Sequence, residues 1–127
     1  MGDKKTIYIV EDELDFAKMM KIRLEAAGYN VKVATDAYLG TQDIIKGDPD
    51  LIILDLMMPA GGGFSLLERI QMIPAKSSIP VVILTGKTVD DIDRAKAEKY
   101  GVAAIIQKPY DSRQFMETIR AVLSHMK

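Results

Sequence analysis

The chain contains no cysteine and a single histidine, His125. Without thiols there are no disulfides, no thiolate metal sites and no cysteine nucleophile, and the composition suits a cytoplasmic protein. A lone histidine near the last residues reads as a solvated side chain. An excess of charge is missing too: 17 Lys+Arg stand against 18 Asp+Glu. That balance removes the electrostatic case for direct nucleic-acid binding. No apolar run approaches the ~20 residues of a membrane-spanning helix, and no signal peptide is visible, so no membrane role is expected. Internal repeats and low-complexity linkers are also absent.

What is present is a chain of 127 residues that is 48% hydrophobic, enough for a single globular domain, 1–127, with a real core. It is organised around Asp50–Pro59. Leu51 to Leu54 is a short unbroken apolar run, which reads as a strand buried on both faces. The run ends on Asp55. An ionised carboxylate is costly to bury, so this residue belongs where the strand leaves the sheet.

Similar strands are expected at Thr6–Val10, Val31–Ala34, Val81–Leu84 and Val102–Gln107. Helical spacing falls between them. Phe16, Met20, Leu24 and Ala27 share one face of a helix over 13–27; Asp36 caps a second that runs to about Lys46. Gly61-Gly62-Gly63 lacks the GxGxxG context of a phosphate cradle and reads as a plain loop opening a third helix. That helix turns Leu66, Leu67, Ile70 and Ile73 inward. A fourth helix over Thr88–Tyr100 has a thin stripe of Val89, Ile92 and Ala95, with Asp90, Asp91 and Asp93 suiting its dipole. The last is capped by Asp111 or Ser112 and turns Phe115, Ile119, Val122 and Met126 inward. Met19, Met20, Met57 and Met58 are read as packing residues. Five strands alternating with five helices give an α/β fold: a doubly wound, five-stranded parallel sheet of order 2-1-3-4-5, the flavodoxin-like (βα)5 arrangement.

In such a sheet the strand ends share one edge. Glu11 and Asp12 follow the first strand, Asp55 the third, Thr85 the fourth and Lys108 the fifth. Three carboxylates, one hydroxyl and one ammonium thus converge. Oxygen-only donors suit Mg²⁺, the ammonium and hydroxyl suit phosphoryl oxygens, and a carboxylate can act as nucleophile to form an acyl phosphate.

With these residues in place, the chain from Ile7 to about Leu123 resembles the receiver domain of bacterial two-component response regulators. The resemblance rests on Glu11-Asp12, on Asp55-Leu-Met-Met-Pro59 with Gly63 beyond it, on Thr85-Gly86 and on Lys108-Pro109-Tyr110. It implies that Asp55 is the phosphoacceptor. Asp12, Asp55 and the main-chain carbonyl of Met57 would bind Mg²⁺ with help from Glu11, while Lys108 and Thr85 would contact the phosphoryl group. It also implies a cis Lys108-Pro109 peptide and phosphoryl transfer and autodephosphorylation catalysed by the domain itself. The phosphate donor would be a sensor histidine kinase or a phosphotransfer domain. The output would pass, through the surface of the fourth helix, fifth strand and last helix, to a downstream protein target or a fused output domain; homodimerisation stays open.

Two positions depart from the family pattern. Ile105 stands where an aromatic switch residue is usual, three positions before the lysine, and Gly61-Gly62 replaces bulkier residues in a loop expected to order with phosphate or a partner. Ile105 keeps alive a phosphorylation-independent interaction module on the same fold. A haloacid-dehalogenase-like phosphatase also uses Asp, Thr and Lys in that order, but needs a second acid where this chain has Met57.

Overall fold

Each short aliphatic run becomes a parallel strand in the computed structural model, which describes residues 4–58 and 62–124. The strands are β1 (Thr6–Val10), β2 (Asn30–Ala34), β3 (Leu51–Leu54), β4 (Val81–Thr85) and β5 (Ala104–Gln107), arranged β2-β1-β3-β4-β5. The expected fold class and strand order are therefore the observed ones. Every residue of β3 and β4 is buried, as a strand flanked by helices on both faces requires. At the β2 edge Asn30 and Lys32 face outward. Asp50, just before β3, accepts a hydrogen bond from the Thr6 amide at 2.7 Å and ties the starts of two strands together.

Alternation along the strands sorts the helices. Ile7, Ile9, Leu51, Ile53, Val82 and Leu84 face α1 (Leu14–Ala26) and α5 (Ser112–Ser124), which contribute Met20, Leu24, Phe115, Ile119 and Leu123. Tyr8, Val10, Ile52, Leu54, Val81 and Ile83 face α2 (Ala37–Lys46), α3 (Gly62–Gln71) and α4 (Asp91–Lys99).

Several details differ from the periodicity reading. On α1, Ala17 is buried and Ala27 lies exposed at the helix end. Asp36 does cap α2, accepting from the Leu39 amide at 2.7 Å. On α3, Leu66, Leu67 and Ile70 point inward, whereas Ile73 lies beyond the helix and is half-buried. Asp111 caps α5, accepting from the amides of Arg113 and Gln114. Leu123 takes the inward place expected for Val122, and Met126 and His125 lie outside the described residues. Met20 packs in the core, but Met19 and Met57 are exposed.

The helix α4 is the clearest correction. It starts at Asp91 rather than Thr88, and it buries Asp93 and Ala97 while Ile92 faces solvent. Asp90 is the reason for both. Its carboxylate accepts from the Asp93 amide at 2.8 Å, and the Asp93 carboxylate accepts from the Asp90 amide at 3.3 Å, a reciprocal cap that turns Asp93 inward.

Candidate functional site

Register brings the site residues level. Val10 pairs with Leu54, so Glu11 and Asp55 leave the sheet side by side. Thr85 pairs with Gln107, so Lys108 follows one residue beyond. The Glu11 amide still donates to the Ala34 carbonyl, the Asp55 amide to Val10 and the Lys108 amide to Thr85. These candidate residues are thus pinned by the last bonds of the ladder. The start of α3 presses on the same edge: a Cβ at Gly63 would come 2.5 Å from the Asp55 carbonyl oxygen. Gly62, at φ +74°, makes the left-handed entry to that helix. Gly61, the first glycine of the run, lies outside the described residues.

Asp55 is 6% exposed and fully partnered. Its Oδ1 accepts from the Thr85 hydroxyl at 2.8 Å and from the Met57 amide at 3.0 Å; its Oδ2 accepts from Lys108 Nζ at 3.2 Å. Lys108 Nζ also donates to Glu11 at 2.7 Å and reaches Glu13 at 3.5 Å. Glu11 is 2% exposed, and its second oxygen accepts from the Glu13 amide at 3.1 Å. Asp12 is exposed, yet one carboxylate oxygen from each of Glu11, Asp12 and Asp55 can be chosen with all three within 4.8 Å of one another. The structure therefore brings Glu11, Asp12, Asp55, Thr85, Lys108 and the Met57 backbone into one cluster. The Lys108-Pro109 peptide is cis, as the resemblance implied.

The charges are unbalanced. Burial pushes the Glu11 carboxyl above the usual carboxylate range; bonds from Lys108 and the Glu13 amide oppose this, and the charge of Asp55 adds to it. Burial works against the charged form of Lys108, but its bonds to Glu11 and Asp55 outweigh that and hold the ammonium above its ordinary range. Among the described residues, Lys108 bonds two of the three clustered acids, Glu11 and Asp55, an arrangement with room for a further cation.

Three participants were missed in the sequence. Glu13 reaches Lys108 from the turn before α1, and Phe16, read only as a core residue, lies with its ring centroid 4.1 Å from Lys108 Nζ. Lys87 donates its amide to the Thr85 hydroxyl at 3.1 Å and its ammonium to buried Asp93. No spacing signal ties Phe16, on the first turn of α1, to Lys108 far along the chain. Nothing in local spacing marks the third. Ile105 sits opposite Ile83 and packs half-buried against the core cluster that includes Ala97.

The family model described as the response regulator receiver domain matches residues 7–120. Response regulator ArlR of Staphylococcus aureus (strain COL) is 35% identical over 117 residues, covering 92% of this chain and 52% of that protein. The chain thus spans about half the length of these curated relatives. Among solved structures, the non-phosphorylated HemR receiver domain of Leptospira biflexa is 28% identical with a TM-score of 0.88, covering 98% of each chain. Chemotaxis protein CheY4 of Vibrio cholerae, at 24% identity, shares the fold with a TM-score of 0.86 over 94% of this chain and 98% of its own. With a site built at the carboxyl edge of an open parallel sheet and a family match over most of its length, the chain belongs to the response regulator receiver domain family.

Proposed function

We propose that this chain is a phosphorylation-dependent switch of a two-component phosphorelay, with Asp55 as the phosphoacceptor. The observation that carries this reading is the pairing of the Thr85 hydroxyl and the Lys108 ammonium with opposite oxygens of one buried carboxylate. In the transfer, an Asp55 oxygen attacks phosphorus and a new P–O bond forms. The P–N bond to the donor's phosphohistidine breaks, and its electron pair returns to the imidazole nitrogen. Lys108 and Thr85 then move from Asp55 to the phosphoryl oxygens, where they offset the incoming charge.

Asp12, Asp55 and the Met57 carbonyl, with Glu11 beside them, would hold Mg²⁺. An all-oxygen donor set with an uncompensated charge supports that choice. When bound, the ion neutralises charge on the acids and on the phosphoryl oxygens. The donor would be a sensor histidine kinase or phosphotransfer domain, and the receiver of the signal a protein target or a fused output domain.

Thr85 links the site to the surface. Its hydroxyl oxygen accepts from the Lys87 amide, and the Lys87 ammonium grips Asp93 in the first turn of α4. A Thr85 that turns toward a phosphoryl group pulls on this link, so displacement reaches α4 without the aromatic ring that Ile105 replaces. The α4 side of the α4–β5–α5 surface then changes between two states while α5 stays docked. Met57 offers no polar side chain to orient a water, so the acyl phosphate is expected to be long-lived.

The test is incubation with acetyl phosphate and Mg²⁺ followed by intact mass. A gain of one phosphoryl mass, absent in Asp55→Asn, supports the switch; no gain favours the passive interaction module, for which Ile105 is the supporting observation. The phosphatase reading lacks its general acid, since Met57 occupies the required position.

A further inference from the structure

Lys108 leaves β5 on a flexible four-carbon stem, yet its side chain is only 14% exposed. Hydrogen bonds to Glu11 and Asp55 hold the ammonium on the acid side. On another side lies the Phe16 ring, 4.1 Å from nitrogen to centroid, well inside the range in which a ring face attracts a cation. Phe16 is itself held. It meets Tyr110 edge to face with centroids 5.7 Å apart, and Tyr110 packs on Phe115 at 5.0 Å. Phe115 is fully buried under the sheet. Three rings from α1, the turn before α5 and α5 itself thus form a ladder from the core to the ammonium. Lys108 and Tyr110 leave the same turn and meet the same ring.

We propose that Phe16 is a positioning residue for Lys108, presenting the ammonium to Asp55 and to the phosphoryl group. The exposed Glu13 carboxylate, 3.5 Å from Nζ, competes for the same ammonium from outside the cluster. With the ring gone, the stem is free to swing toward Glu13 and water. Lys108 then reaches the phosphoryl oxygens only after paying orientational entropy that the ring now removes.

The inference rests on the phosphoacceptor reading in its kinetic consequence but not in its geometry, so two measurements separate them. In the full chain, Phe16→Leu keeps an apolar side chain and loses the ring; Phe16→Tyr keeps the ring. The first readout is the Lys108 Hε proton resonance without any phosphate. It is shifted upfield by the ring in wild type and in Phe16→Tyr, and returns to the ordinary lysine position in Phe16→Leu. The second is the rate of Asp55 modification by acetyl phosphate with Mg²⁺. Phe16→Leu slows it about fivefold, the effect of one such contact, and Phe16→Tyr stays within about twofold. In a Lys108→Ala background, which slows modification further but leaves it measurable, adding Phe16→Leu changes nothing more. An unshifted lysine resonance in wild type overturns the proposal. So does equal slowing by Leu and Tyr, or a full Phe16→Leu effect without Lys108. If wild type takes up no phosphoryl group, the switch reading fails while the resonance still decides the positioning.

Discussion

The helices α4 and α5 are consecutive in the chain, yet different forces hold them. The α5 helix docks through Phe115, Ile119 and Leu123, three large buried side chains on one stripe. The α4 helix buries only Asp93 and Ala97, and its fixed points are the reciprocal Asp90–Asp93 cap and the Lys87–Asp93 pair. Apolar packing grows with the area removed from water and resists small displacements. A polar clasp depends on a few bonds and can be released by one neighbour that moves. That neighbour is Thr85, bonded on one side to Asp55 and on the other to Lys87. The proposed switch needs one element fixed and another loosely held, and this pair supplies both.

The comparison can be broken most forcefully at Phe115. Phe115→Ala leaves a void in a fully buried site and is expected to cost about 3–5 kcal/mol in denaturant unfolding. A loss below about 1 kcal/mol would mean that α5 is held no more firmly than α4.

Acid provides a smaller, local effect. The Lys87 ammonium holds the Asp93 carboxyl below the usual carboxylate range, against the effect of burial and with help from the Asp90 amide. A carboxyl lowered in the folded state stabilises fully above its ordinary value, and that contribution is lost as pH falls through the depressed one. Amide protection in α4 should therefore fall on acidification before that of α5, and Asp93→Asn should leave α4 weakly protected at every pH, removing that acid dependence. Parallel loss in both helices would contradict the clasp.

The smallest effect is expected at Ile92. It is 67% exposed, so Ile92→Ala should change stability by no more than about 0.5 kcal/mol. A cost near that of a core residue would restore the apolar stripe that periodicity suggested.

The strands and the convergence of the candidate site were legible for the same reason. Buried parallel strands appear as aliphatic runs, and the polar residue ending each run marks the edge where register later collects Asp55, Thr85 and Lys108. What escaped was held by polar contacts. Periodicity put Ile92 and Ala95 inside because it weighs only apolar residues, whereas the Asp90-x-x-Asp93 spacing was a cap signal read merely as dipole charge. Ala17 outranks Ala27 because α1 ends before the latter can reach the sheet. The Phe16–Lys108 contact joins residues far apart in the chain, and only folding reveals it.

The most direct measurement is amide hydrogen exchange with Mg²⁺, with and without beryllofluoride as a phosphoryl mimic on Asp55. The account predicts altered protection from Lys87 through Lys99 and unchanged protection at Phe115 and Ile119. Equal change in both helices, or change in α5 alone, would contradict it.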